Sequence, residues 1–148
     1  MMTSAKRSKP PANHALRYCW GGRFNASNNV GWHEHVETEL VAVHAGRCRI
    51  NVDGQKLDGE RGALFILPAG VPQYQETLEP SKTTFIGLLA PAELFDDSSR
   101  VLTIAPEDPV FGWIEQLCDG PLLQPPMSDD VTLRLLEILL RRIGEFDE

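Results

Sequence analysis

The stretch GWHEHVETELVAVHAG, Gly31–Gly46, decides how the chain is read. The whole sequence contains only four histidines, and two of them, His33 and His35, stand two residues apart here, with Glu37 and Glu39 just behind. In an extended strand, residues of one parity point to one side. His33, His35, Glu39, Val41 and Val43 would then share a face that starts with two imidazoles and a carboxylate and continues as hydrocarbon. Neutral ring nitrogens at fixed separation plus one anionic oxygen are what a divalent metal requires. Glu37 has the same parity, and spacing alone does not choose between it and Glu39. A histidine pair beside Trp32 is also an ordinary arrangement for rim residues with glutamate partners. His44 has the opposite parity and is expected on the outer face or rim.

Outward from this stretch, turn chemistry sets the fold class. ALRYCWGGRF reads as a first strand, NASNNVG as a polar loop, and ELVAVHAG, RCRINVDG, QKLDGERG, ALFILPAGVPQYQE and TTFIGLLA as short strands. Asp53-Gly54 is a two-residue hairpin signal, and Asp58-Gly59 with Gly62 marks another reversal. Strands at about ten-residue spacing, with no helical pattern between them, argue for an antiparallel sandwich or barrel. This all-β region is expected over residues 15–90, behind a flexible arm at 1–14. Cys48 and Ile50 should face in while Arg47 and Arg49 face water. Trp20 and Trp113 read as packing anchors, and Asp96, Asp97 and Arg100 as a solvated cluster. Pro68 and Pro72 fix a loop that carries Gln73.

Residues 91–148 change period and form a C-terminal helical segment. PAELFD allows one or two helical turns. Val110, Trp113, Ile114 and Leu117 recur at three- and four-residue steps, which predicts a short helix ending near Gly120. Ser128 is a natural N-cap, followed by first-turn Asp129 and Asp130. The helix it opens is expected to reach Ile143 and stop at Gly144. Leu133, Leu136, Leu140 and Ile143 line one side, and Val131, Leu135, Ile138 and Leu139 widen it. So broad an apolar surface asks for two partners: the chain's own domain and, through Leu133, Leu136, Leu140 and Ile143, a second copy in a homodimer, the alternative being complete burial by the adjacent helix and the barrel wall.

Composition excludes several function classes. A length of 148 residues suits one core. Net charge is −7, and because the first fifteen residues hold Lys6, Arg7 and Lys9 with no acid, the remainder balances at −10. Such a body is a poor match for phosphate, so these residues by themselves are not expected to grip nucleic acid. The longest uncharged central stretch is broken by Pro68, Gly70 and Pro72, and no membrane span is expected. The basic head lacks the apolar region of an export signal. Cys19, Cys48 and Cys118 have no metal-like spacing, which suits free thiols in a reducing, cytoplasmic compartment.

Two motifs give the reading a family. His33-x-His35, then Glu39, then Gly46 resembles the first motif of the cupins, and Gly62 followed by Pro68-x-Gly70 resembles the second. The implied fold is a cupin-like antiparallel barrel, a double-stranded β-helix or jelly roll, followed by two α-helices. Where the second motif places histidine this chain has Gln73, and Thr77 stands at the later asparagine position. The resemblance therefore implies His33, His35 and Glu39 as three ligands of Zn, Ni, Fe or Mn, with an amide, Gln73, in the fourth seat; an unmetallated polar pocket is the alternative.

The basic head, barrel and two helices together are similar to the N-terminal effector-binding and dimerisation domain of AraC-type transcriptional regulators. That resemblance implies a small-molecule effector in the barrel, met by Trp32, His33, His35, Glu39, Val41, Gln73 and Tyr74, with Gln75 a further possibility. It also implies an N-terminal arm that gates the mouth, and DNA contact only through a helix-turn-helix half that does not follow GEFDE in this sequence. The competing expectation is a small metal-dependent cupin enzyme, a dioxygenase, isomerase or lyase, using His33, His35 and Glu39. Its acid-base residue would have to come from Tyr74, Glu76 or His44.

Overall fold

The computed structural model describes residues 15–91 and 98–147. The proposed arm at 1–14 and nearly all of PAELFD, with Asp96 and Asp97, lie outside the described residues. Seven strands form one antiparallel sheet: β1 (Arg17–Ala26), β2 (Val30–His33), β3 (Thr38–Val52), β4 (Gln55–Glu60), β5 (Ala63–Leu67), β6 (Gln73–Leu89) and β7 (Arg100–Thr103). Their order is β1-β6-β3-β5-β7, with β2 also on β6 and β4 also on β3. Hydrogen bonds do not close the ladder, because among the described residues β1 and β7 remain its two ends. The expected barrel is thus an open sheet curled on itself.

The curl comes from two long bent strands. ELVAVHAG and RCRINVDG, read as two strands, are one strand, β3, and β6 likewise fuses QYQE with TTFIGLLA. The β3–β6 ladder shifts register between Val43 and Cys48. Bulges of this kind bend a strand and add twist. Gly46 lies at the shift with φ +75°, and a Cβ there would fall 2.0 Å from the Pro80 carbonyl oxygen. Only glycine fits both constraints. Before the shift odd residues of β3 face inward; after it Cys48, Ile50 and Val52 do.

Opposite faces of the same strands therefore serve two cores. Val41, Val43, Cys48, Ile50, Val52, Phe65 and Leu67 fill the inside of the curl. Leu40, Ala42, Leu64, Ile66, Ile86 and Leu88 instead meet two helices. The first, α1 (Pro109–Asp119), starts where the Asp108 side chain accepts from the Val110 amide and ends one residue short of Gly120. A single 3-10 turn follows, and α2 (Asp129–Phe146) opens on Ser128, whose Oγ accepts from Val131 N at 3.2 Å. Gly144 does not stop α2, which runs on to Phe146. Arg142 at its end reaches Asp108 at the head of α1 at 2.7 Å, tying the helices together. The strand β7 was not anticipated; only four residues long, it pairs with β5.

Burial also revises the proposed dimer face. Leu136, Leu140 and Ile143 are buried in the core between sheet and helices, and Leu133 is half-buried beside Tyr18 and Met127. The three buried ones are committed to the chain's own packing. The exposed apolar residues of α2 are Val131 and Ile138, each 50% exposed. His44 also faces the helices: it bonds Thr84 Oγ1 on β6 and lies 3.5 Å from Glu115 of α1, and Arg23 of β1 reaches both Glu115 and Asp119. Cys48 and Cys118 are buried free thiols, each pushed up to about 11 by burial, and Cys19 is half-buried. Truncating Leu136 to alanine should cost about 2–5 kcal/mol, whereas Ile138→Ala should stay within about 0.5 kcal/mol in the isolated chain; urea unfolding of the two variants checks the assignment.

Candidate functional site

At one end of the curl the structure brings His33, His35 and Glu39 together. One ligand-type atom from each lies within 4.8 Å of the others. His33 closes β2, His35 follows it, and Glu39 stands at the start of β3, buried to 7% exposure. Glu37, half-buried just ahead of β3, is not in this cluster, so the choice left open by parity falls on Glu39.

Local contacts orient each group. His33 Nδ1 donates to the Gly31 carbonyl at 2.8 Å, which leaves the Nε2 lone pair free, as in metal-binding histidines whose other nitrogen is held by a backbone carbonyl. The His35 ring lies 5.2 Å from that of His33; burial, then the neighbouring His33, lowers its pKa and favours the neutral ring that ligates metals. The PxG loop holds the segment in place, since Gly70, at φ +74°, donates its N–H to the His35 carbonyl at 2.6 Å.

Glu39 is answered by Gln73, whose Nε2 donates to Oε1 at 2.7 Å. The amide nitrogen is thus committed to the carboxylate, and the amide oxygen is the atom through which Gln73 would reach a metal. Burial pushes the Glu39 pKa up, against the opposing pull of the Gln73 hydrogen bond and of His33. Two imidazoles and one carboxylate fit a divalent cation with open positions, and the Gln73 amide orients the carboxylate through its nitrogen.

A residue read as a packing anchor belongs to the site. The Trp20 ring centroid lies 4.8 Å from that of His35 and 6.1 Å from that of Phe85. Its place is made by Gly87, where a Cβ would fall 2.2 Å from the indole. Gly87 is the register partner of both Trp20 on β1 and Glu39 on β3, so one row across three strands lines up Trp20, Gly87 and Glu39. The available signal was a glycine inside the apolar strand TTFIGLLA, since such glycines mark close approach.

Two expected ligand contacts lie elsewhere. Trp32 is 66% exposed and pairs with Tyr74, ring centroids 5.7 Å apart, and Tyr74 Oη accepts from Asn29 Nδ2. Alternation along β6 buries Gln73 and Gln75 and turns Tyr74 to the opposite side. Val41 is inside, packed beneath Glu39 in the lumen core. The three candidate acid-base groups also point away from the cluster: Tyr74 pairs with Trp32, Glu76 accepts from Asn51, and His44 is engaged at α1.

A curled antiparallel sheet with a histidine-carboxylate cluster at one end and two helices packed outside is a cupin-like architecture. The chain belongs to the family described as the AraC-like ligand binding domain, whose model matches residues 22–146. Among solved structures, the protein YhaK from Escherichia coli is similar in fold at 12% identity and a TM-score of 0.51, over 69% of this chain and 49% of YhaK. The AraC-like transcriptional activator CuxR matches at 12% identity and a TM-score of 0.48, over 74% of this chain and 41% of the activator. A cupin-2 domain protein from Shewanella frigidimarina matches at 21% identity and a TM-score of 0.44, over 55% of this chain and 81% of its own. No curated protein matches the sequence. Among the described residues, no helix is long and apolar enough to cross a membrane.

The burial of Glu39 has a pH signature. A carboxyl with a raised folded pKa binds more protons folded than unfolded, so its contribution is most favourable below the usual glutamate range and is lost as pH climbs to the raised value. Glu39→Gln should therefore gain stability over the parent chain as pH rises from about 4 to about 8 in metal-free buffer; urea unfolding at both ends of that range measures the difference.

Proposed function

We infer that this chain is the ligand-sensing domain of an AraC-type transcriptional regulator, binding a small metabolite at the end of the lumen where Trp20, His33, His35, Glu39 and Gln73 converge. The observation that carries this reading is the cluster itself: a carboxylate at 7% exposure, met by one amide and two imidazoles, with an indole beside it. Convergent polar groups set into apolar walls are the usual make-up of a small-molecule site. Membership of the ligand-binding family supports the same reading. The acidic body leaves DNA contact to parts of a regulator other than these residues, in the cytoplasm.

A metal-dependent cupin enzyme is the second reading, favoured by the His33–Gly31 hydrogen bond that frees Nε2. A divalent ion held by His33, His35 and Glu39 would supply Lewis-acid polarisation of a bound oxygen. The outward placement of Tyr74, Glu76 and His44 supports sensing over catalysis, because none of the three stands where it would move a proton at this cluster. Sensing also requires a second copy or a partner domain to read the bound state. In this proposal the exposed residues Val131 and Ile138, two turns apart on α2, take the place of the buried Leu136, Leu140 and Ile143 in the dimer contact.

Titration with Co2+ followed by its visible absorption tests the cluster. His35→Ala should weaken binding by about 10-fold or more, and an unchanged isotherm would remove His35 from the ligand set. Dimerisation is checked separately by sedimentation velocity: Ile138→Asp should shift a dimer to monomer, and a parent chain that sediments as a monomer at high concentration would end the dimer proposal.

A further inference from the structure

Beyond the cluster, β6 carries a second buried amide. Gln75 lies two residues after Gln73, on the same inward face, and is 8% exposed. Its register partner on β3 is Ile50, a member of the lumen core, and directly opposed residues of an antiparallel pair share a face. Unlike Gln73, whose nitrogen is taken by Glu39, Gln75 Nε2 has no hydrogen-bond partner among the described residues. A buried donor left unpaired is unfavourable, and its retention asks for an explanation. Neither structural reason for an amide applies here, since Gln75 Nε2 neither caps an element nor bridges two strands.

We propose that Gln75 is a specificity residue of the ligand site, its Nε2 donating to an uncharged oxygen of the bound molecule. This rests on the reading of the Glu39 cluster as a small-molecule site. The chemistry of the two ends is different. At the outer end, Glu39 accepts and the imidazoles ligate or donate. At the inner end, a neutral amide stands level with Ile50 of the apolar lumen core. A carboxylate pushed that deep would be desolvated without compensation, whereas a hydroxyl, ether or carbonyl oxygen would be satisfied by the amide. Two residues along a strand separate the ends by about 6.6 Å, so the ligand is a short molecule with oxygens at both ends and a neutral inner one. Because Nε2 is sealed from solvent, a ligand that reaches it parts the side chains around it. Binding is thereby coupled to widening of the lumen.

The test uses the whole chain, labelled with nitrogen-15, and two probes of equal carbon count: 1,4-butanediol, whose inner end is neutral, and succinate, whose inner end is charged. The diol should shift the Gln75 side-chain amide resonance, assigned by its disappearance in Gln75→Met, and should bind more tightly than succinate. Gln75→Met should weaken diol binding by about 10-fold while raising the thermal midpoint of the ligand-free chain, because the orphaned donor is gone. A purely structural or water-bound amide would give the reverse pair, a lower midpoint with unchanged diol affinity, and would overturn the proposal. So would a failure of the diol to bind the parent chain. Glu39→Gln separates the two claims: loss of diol binding there but not in Gln75→Met leaves the ligand site standing and removes Gln75 from it, while no loss in either variant removes both.

Discussion

A carboxylate drawn into an apolar lumen has to be answered there, and the arrangement around Glu39 is that answer. Its neighbours are set by the sheet's register. Gly87 stands level with it on β6, leaving room for Trp20; Gln73, where β6 begins, supplies the hydrogen bond; and the turn after β2 returns His33 and His35 to the same end of the curl. The PxG loop then locks that turn through Gly70 and the His35 carbonyl. Without the long, bulged pairing of β3 with β6, these groups would sit on separate pieces of sheet.

Much of this was readable from residue order because period-2 alternation and turn chemistry are local. Alternation placed Glu39 and Val41 on one side of β3 and turned Arg47 and Arg49 outward, and Asp53-Gly54 marked its hairpin, but alternation does not link His33 and His35 to Glu39, because residues 34–37 break the strand and a turn brings the imidazoles back. Ser128 and the start of α2 followed from capping. Alternation fails where a bulge intervenes. Tyr18 and Trp20 are two apart and should share a face, yet the register slips between them, so Tyr18 packs towards the helices while Trp20 turns to His35. No pattern in YCW announces that slip. Gln73 was placed by the motif resemblance and Tyr74 by its neighbourhood; alternation along β6 turns Tyr74 to the side opposite Gln73 and Gln75.

Which side of α2 the chain buries is a thermodynamic choice. Its apolar residues nearly encircle the helix, and hydrophobicity does not say which arc meets the chain's own core. That choice is made by α1 and the even face of the sheet, which claim Leu136, Leu139, Leu140 and Ile143 and leave Ile138 in water. A non-local decision of this sort leaves no signature in α2 itself.

The seam from His44 to Thr84, Glu115 and Arg23 has a mechanical meaning. It fastens α1 to β1, β3 and β6, the three strands that deliver Trp20, Glu39 and Gln73 to the lumen. The helix pair is therefore joined to the site's three strands by polar side chains as well as by apolar packing.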